Sequence, residues 1–316
     1  MRKNNREEIL WDKRVLDYKR PLDYALMMEY INLFSERYPF LSVNIMGESI
    51  MGRSIPMITL GEGEGAVMYI GAHHGMEWIT SILLLRFINE YCELYKERRR
   101  IYSYDLRYIF STKTVYIIPM LNPDGVDYQI NGVSEDNVIY DRLLKMNDNS
   151  TDFSHWQANA RGVDLNHNYN YGFFEYKKLE AQAGIADGAP TRFSGNMPES
   201  EPEVASLCNF LRFNENVKML LTFHTQGEEI FYSEGKGSAE RAKRIAGVLS
   251  RISGYKLSSA EGMAAYGGLS DWSNQVLGRP SFTVECGKGK NPLPLTDNFK
   301  LYADIREMLF AFPTFI

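Results

Sequence analysis

Cysteine is scarce in these 316 residues. Only Cys92, Cys208 and Cys286 occur, an odd number with no paired spacing, which excludes a disulfide framework. A basic surplus is also missing. With 35 Lys and Arg against 40 Asp and Glu, the net charge is -5, and the electrostatic footprint of a nucleic-acid binder is absent. The run Arg98-Arg99-Arg100 closes an expected helix, where cations complement the helix dipole. No apolar run approaches the roughly 20 residues of a membrane span. Residues Met1 to Glu8 are charged, with no apolar core behind them, unlike a signal peptide. The expectation is a cytoplasmic chain with neither nucleic acid nor membrane as partner. A trimmed secreted form would read the same, and oligomeric state stays open. Histidine is rare too: His73, His74, His155, His167 and His224 are the whole set.

What is present is ordinary globular composition, 44% hydrophobic and 24% charged, and a regular alternation of patterns. Residues 22–38 carry apolar positions at helical spacing. Strand-like runs follow at 67–72, 114–120, 217–223 and 281–285, and helix-like runs at 78–96, 201–213, 238–252 and 297–311. Strands interleaved with helices imply an α/β sheet, largely parallel and covered on both faces. No internal repeat or low-complexity linker divides the chain. The expectation is one domain over 1–316, with residues 1–40 as an N-terminal helical extension packed on it. Residues 122–200 lack periodicity and are rich in Asn, Asp, Gly and Tyr. So long an irregular segment inside a compact domain points to function.

The chemistry-bearing residues sit where the strands end. The run 67–72 leads to His73 and His74, with Glu77 three residues on. The run 217–223 leads to His224, and 281–284 to Glu285. Ligand sites in open α/β sheets lie outside the carboxyl ends of the strands, so three strands deliver these groups to one edge. Two histidines and a carboxylate with an open fourth position make a catalytic zinc arrangement. Glu285 would then be free as general base toward water whose pKa the metal lowers from about 15.7 toward about 7. Asp164 is the candidate acceptor for the second N–H of a ligating histidine. Each element has a plainer reading. An H-x-x-E pair occurs in polar loops, a strand-final histidine in cores, and a strand-final glutamate in caps or ion pairs. Cys286, with no Cys-His signature around it, reads as a small buried filler.

Six motifs in order resemble the zinc metallocarboxypeptidases, the carboxypeptidase A-like or funnelin family. They are His74-Gly75-Met76-Glu77, Asn122-Pro123-Asp124-Gly125, Asp164-Leu165-Asn166-His167-Asn168, His224, Gly267-Gly268-Leu269-Ser270-Asp271-Trp272 and Phe282-Thr283-Val284-Glu285. Gly52-Arg53-Ser54-Ile55 extends the likeness upstream. The resemblance implies a single mixed, mostly parallel sheet of about eight strands with helices on both faces. It implies one Zn2+ per chain on His74, Glu77 and His224, Glu285 as the base that later protonates the leaving amine, Asp164 behind His74, and Asn166 with its neighbour at the subsite for the leaving residue.

Three departures from the family pattern stand out. His167 occupies the place of the arginine that grips a terminal carboxylate, and histidine cannot reproduce that bidentate grip. Gln157 stands where a carbonyl-polarising arginine is usual, which leaves nearby Arg161 as the candidate for oxyanion support. Met263 falls at the substrate-capping tyrosine, with Tyr266 close enough to substitute. The stretches Trp156 to Asn166 and Glu285 to Pro294 resemble the bacterial γ-D-glutamyl-L-diamino acid (meso-diaminopimelate) endopeptidases. That subgroup implies a small muropeptide-like substrate, cut at the γ-D-glutamyl–diaminopimelate bond. The alternatives are a carboxypeptidase of ordinary peptides, an amidohydrolase deacylating a small amino-acid conjugate, and a binding protein that has lost catalysis.

Overall fold

The computed structural model describes residues 16, 19–185, 187–233 and 239–316. Residues 1–15, 17 and 18 of the expected extension over 1–40 lie outside them, as does position 238 at the start of the expected helix over 238–252. The strands are β1 (Ser42–Glu48), β2 (Ser54–Gly61), β3 (Gly65–Ile70), β4 (Arg100–Ile101), β5 (Tyr104–Asp105), β6 (Lys113–Ile118), β7 (Val217–His224), β8 (Glu229–Tyr232), β9 (Lys256–Ser258) and β10 (Ser281–Glu285). Eight of them form one sheet in the order β1-β2-β6-β3-β7-β10-β8-β9, while β4 and β5 pair separately. Strand β3 runs parallel to β6 and β7, β7 to β10, and β8 to β9. The pairs β1–β2, β2–β6 and β8–β10 are antiparallel. The sheet is therefore mixed and mostly parallel, as the resemblance implied.

The helices are α1 (Tyr24–Arg37), α2 (Ile79–Lys96), α3 (Leu106–Thr112), α4 (Pro123–Asn131), α5 (Tyr140–Met146), α6 (Phe173–Gln182), α7 (Pro202–Phe213), α8 (Ala239–Ser253), α9 (Leu269–Trp272) and α10 (Asn298–Ala311). The period-two alternation of the strands sorts them into two layers. Val67 and Tyr69 of β3 face a core shared with α1, α2, α8 and α10, whereas Ala66, Met68 and Ile70 face α7 and α9. Helix α1 begins where Asp23 accepts a hydrogen bond from the Leu26 amide at 2.9 Å, a standard N-cap. It buries Leu26, Met27, Tyr30, Ile31 and Phe34 in the larger core.

Helix α2 is buried almost all round. Its Glu90 is held by Arg306 (Nε to Oε2, 2.9 Å) and by the Tyr302 hydroxyl (2.7 Å) of α10. Among the described residues no helix is long and apolar enough to cross a membrane. The irregular stretch 122–200 is pinned by single polar residues. Asn122 caps α4 through the Gly125 amide (2.9 Å), and Pro123 sits at the helix start, where its missing N–H costs nothing. Arg53, in the turn before β2, donates to Asp124 (2.6 Å) and Asp127 (2.5 Å) and ties that turn to α4.

Candidate active site

The carboxyl ends of β3, β7 and β10 open on one edge. Beyond β3 the backbone takes a positive φ of 44° at Ala72, and residues Gly75–Glu77 form a short 3-10 turn with His74 as its N-cap. In a 3-10 turn, residues i and i+3 eclipse, so the His74 and Glu77 side chains share one face. Only glycine fits at position 75: a Cβ there would meet the Gly125 carbonyl oxygen at 2.4 Å. His224 ends β7 and stands in register with Glu285 on β10.

His74 Nδ1 lies 3.0 Å from Glu77 Oε1, His224 Nδ1 lies 3.0 Å from Glu77 Oε2, and the two Nδ1 atoms are 3.3 Å apart. A tetrahedral zinc ion with ligands at about 2.0–2.1 Å keeps those ligands roughly 3.3 Å apart. The spacing in the site therefore suits that ion. Among the described residues this is the group of three His, Cys, Asp or Glu side chains that could hold a metal. The donors beyond the cluster fit as well. His74 Nε2 meets Asp164 Oδ1 at 3.1 Å, and His224 Nε2 meets the Thr222 hydroxyl at 3.1 Å. Each ring thus has a partner for its remote nitrogen, which leaves Nδ1 for the metal.

Electrostatics reinforce the geometry. Burial would raise the Glu77 carboxyl, but the His74 and His224 imidazoles outweigh it and hold it at about 2. Burial opposes a charge on Asp164 also, yet His74 and His167 keep that carboxyl well below its ordinary range. His74 is raised well above the usual imidazole value: burial opposes its charge, and Glu77 and Asp164 overcome that. Glu285 behaves oppositely. Burial, then repulsion from Glu77, pushes it up to about 8. A dication beside it would counter both causes.

A cleft of about 420 Å³ contains the cluster and Glu285. Asn166 and His167 line it. Asn166 Oδ1 accepts from the Leu269 amide at 3.2 Å. His167 Nδ1 donates to the Tyr266 carbonyl at 2.8 Å, and its ring stacks on Tyr176 with centroids 4.0 Å apart. Burial depresses this imidazole below its usual value. The other candidates are placed outside the lining. Gln157 sits behind the site, donating to Asp164 Oδ2 at 3.1 Å and accepting from Thr191 at 3.0 Å. Arg161 is half-exposed and lies 3.8 Å from Glu201. Met263 and Tyr266 bracket the rim, where Ala264 and Ala265 do line the cleft. Cys286 is buried, and its amide donates to the His224 carbonyl at 2.8 Å.

Ser270, Asp271 and Thr283 carry no assigned role in the motifs that contain them, and Ser233 belongs to none. Ser270 and Thr283, hydrogen-bonded to each other at 2.8 Å, line the cleft with Asp271 and Ser233. The signal for Thr283, and for Thr222 behind His224, was their position two residues before a candidate residue on a strand, hence on the same face.

A family model described as zinc carboxypeptidase matches residues 27–307. The chain is 31% identical over 299 residues to gamma-D-glutamyl-L-diamino acid endopeptidase 1 of Lysinibacillus sphaericus, covering 94% of this chain and 73% of that protein. It is 26% identical to carboxypeptidase B of Astacus astacus, covering 85% of this chain and 87% of that one. Among solved structures, bovine thrombin-activatable fibrinolysis inhibitor in complex with tick carboxypeptidase inhibitor shares the fold. Its TM-score is 0.71 at 20% identity, over 94% of this chain and 97% of that one. The chain belongs to the zinc carboxypeptidase family, and it is a zinc metallopeptidase.

Proposed function

From that membership, we propose that the chain hydrolyses the bond between a γ-D-glutamyl residue and a diamino acid, meso-diaminopimelate, in peptidoglycan stem peptides. One observation carries the reading: among the described residues, no arginine or lysine lines the cleft. An enzyme that releases a free C-terminal residue needs a cation for the terminal carboxylate. An enzyme whose leaving residue continues into an amide does not. At the clamp position, His167 spends its Nδ1–H on the Tyr266 carbonyl and keeps Nε2 as an acceptor. The cleft also carries Asp271, a carboxylate outside the metal cluster whose pKa burial raises. Asp271 follows Ser270, which bonds Thr283, and Thr283 lies one strand repeat, about 7 Å, before Glu285. A diamino acid leaving residue would bring its distal ammonium to that depth, where Asp271 offers the matching charge. The similarity to the Lysinibacillus endopeptidase points the same way.

In this reading the metal held by His74, Glu77 and His224 supplies polarisation of the scissile carbonyl and makes water acidic enough to lose a proton near neutrality. The protein's part is proton transfer and positioning. Glu285 takes a proton from the attacking water as the new C–O bond forms. It returns that proton to the amine nitrogen as the C–N bond breaks. Asp164 holds the His74 ring, and Asn166, fixed by the Leu269 amide, shapes the leaving-residue subsite. The test is product analysis on the tetrapeptide L-Ala-γ-D-Glu-meso-diaminopimelate-D-Ala. Release of diaminopimelyl-D-Ala is expected, with Asp271→Asn losing preference for diaminopimelate over its mono-amino analogue. Release of D-Ala alone, or equal rates on ordinary C-terminal peptides, would refute it.

A further inference from the structure

Behind the metal cluster lies a buried chain of polar groups to which the reaction above gives no task. His224 Nε2 meets Thr222 Oγ1 at 3.1 Å, Thr222 Oγ1 meets His73 Nδ1 at 3.4 Å, and His73 Nε2 meets the Tyr169 hydroxyl at 3.0 Å. All four residues are buried. The His73 and His224 rings stack with centroids 5.2 Å apart at 29°. The position is costly for a histidine, because a buried imidazole must satisfy both nitrogens. Apolar packing would fill the same space with no such demand, so a polar chain here needs a reason.

We infer that Thr222, His73 and Tyr169 are positioning residues that set, as one directional unit, which nitrogen of His224 is free for the metal. A neutral imidazole donates from one nitrogen and accepts at the other, and a hydroxyl donates once. The two ring nitrogens are the partners of the buried Thr222 hydroxyl, so its hydrogen goes to one of them, and with that donation kept inside the chain two polarities satisfy every link. In the first, His224 Nδ1–H donates to Glu77 Oε2, 3.0 Å away. Its Nε2 accepts from the Thr222 hydroxyl, Thr222 accepts from His73 Nδ1–H, and His73 Nε2 accepts from Tyr169. In the second, every link reverses. His224 Nε2–H donates to Thr222, Thr222 donates to His73 Nδ1, and His73 Nε2–H donates to Tyr169. Only the second leaves the His224 Nδ1 lone pair for a metal. Each ring keeps one proton in both, so the two states differ in tautomer and not in charge. Zinc binding selects the second polarity, and His73 changes tautomer without touching the ion. This rests on the metal site alone and stands or falls independently of the substrate.

The test uses the full chain and zinc alone. Zinc affinity is measured by competition with a chromophoric chelator for the parent protein, Thr222→Val, Thr222→Ser and His73→Phe, with circular dichroism confirming that each folds. Loss of an outer partner of a metal-bound histidine costs about 10- to 100-fold in affinity. That loss is expected for Thr222→Val and His73→Phe, while Thr222→Ser, which keeps the hydroxyl, stays within about twofold of the parent. In long-range 1H–15N spectra of histidine-labelled protein, the His73 signals, identified by their loss in His73→Phe, are expected to move from the Nδ1–H to the Nε2–H tautomer on zinc addition. Unchanged zinc affinity in Thr222→Val, or one His73 tautomer before and after zinc, overturns the inference.

Discussion

Replacing Glu203 by glutamine should flatten the dependence of stability on pH. Glu203 is fully buried near the start of α7. Its Oε1 accepts from the Ile50 amide at 3.2 Å and its Oε2 from Asn159 at 3.3 Å. Burial, and then the nearby Asp124 and Glu201 carboxylates, push it from 4.5 to about 8. Below pH 4.5 the folded and unfolded chains both hold this proton. As pH rises, the unfolded chain releases it first, so stability falls across the window and the loss is complete above about pH 8. Each pH unit between the two values costs about 1.4 kcal/mol, up to about 5 kcal/mol in all. Asn159 links this carboxyl to the site, because its Oδ1 accepts from the Arg161 and Val163 amides at 2.9 and 3.1 Å in the loop that presents Asp164. The assay is urea unfolding at pH 5, 6, 7 and 8 for the parent and Glu203→Gln. Glutamine carries no charge at any pH, so the difference between the two proteins isolates this one group. Parallel stability-versus-pH curves would refute the reasoning.

Glu285→Gln should lower kcat by about 10²- to 10⁴-fold, the usual worth of a general acid–base group, with zinc content by atomic absorption unchanged. Gly75→Ala forces a methyl against the Gly125 carbonyl. It should cost about 1–3 kcal/mol in urea unfolding and weaken zinc binding by shifting Glu77. Glu90→Gln removes the charge that faces the buried Arg306 and should cost about 3–5 kcal/mol, read as a lower unfolding midpoint with the denaturant slope unchanged.

The central strands were legible because each is a buried apolar run, and β7 and β10 end on His224 and Glu285. Beyond β3 and β6, each expected to run two residues farther than it does, bounds agreed closely: 217–223 against Val217–His224, and 281–285 in full. The expected strand over 67–72 stops at Ile70 because Ala72 turns the chain at positive φ. Strands β1 and β2 went unread from pattern. Strand β1 is a largely exposed edge with a register shift between Ile45 and Gly47, so its apolar face is diluted. Strands β8 and β9 hold four and three residues, too few for a period to show. The stretch 122–200 looked irregular because its short helices are held by individual contacts, such as Asn122 at α4 and Asp164 at the 3-10 turn Leu165–His167. The metal cluster could be read because its spacing is local or strand-final. Gln157 reaches Asp164 across only seven residues, but through an aperiodic loop, and the Thr222–His73–Tyr169 chain joins segments 149 and 96 residues apart, a meeting that no spacing encodes.

The register between His224 and Glu285 has a mechanical meaning. A metal ligand and the proposed base sit on the same rung of a parallel ladder, clamped by the Cys286 amide on the His224 carbonyl. Their separation is set by the spacing of neighbouring strands, about 4.8 Å, rather than by loops that breathe. The pair cannot drift apart while the sheet survives, so the spacing between His224 and Glu285 should persist on heating until the sheet itself melts. The Cys286 amide should accordingly exchange its hydrogen only through global opening.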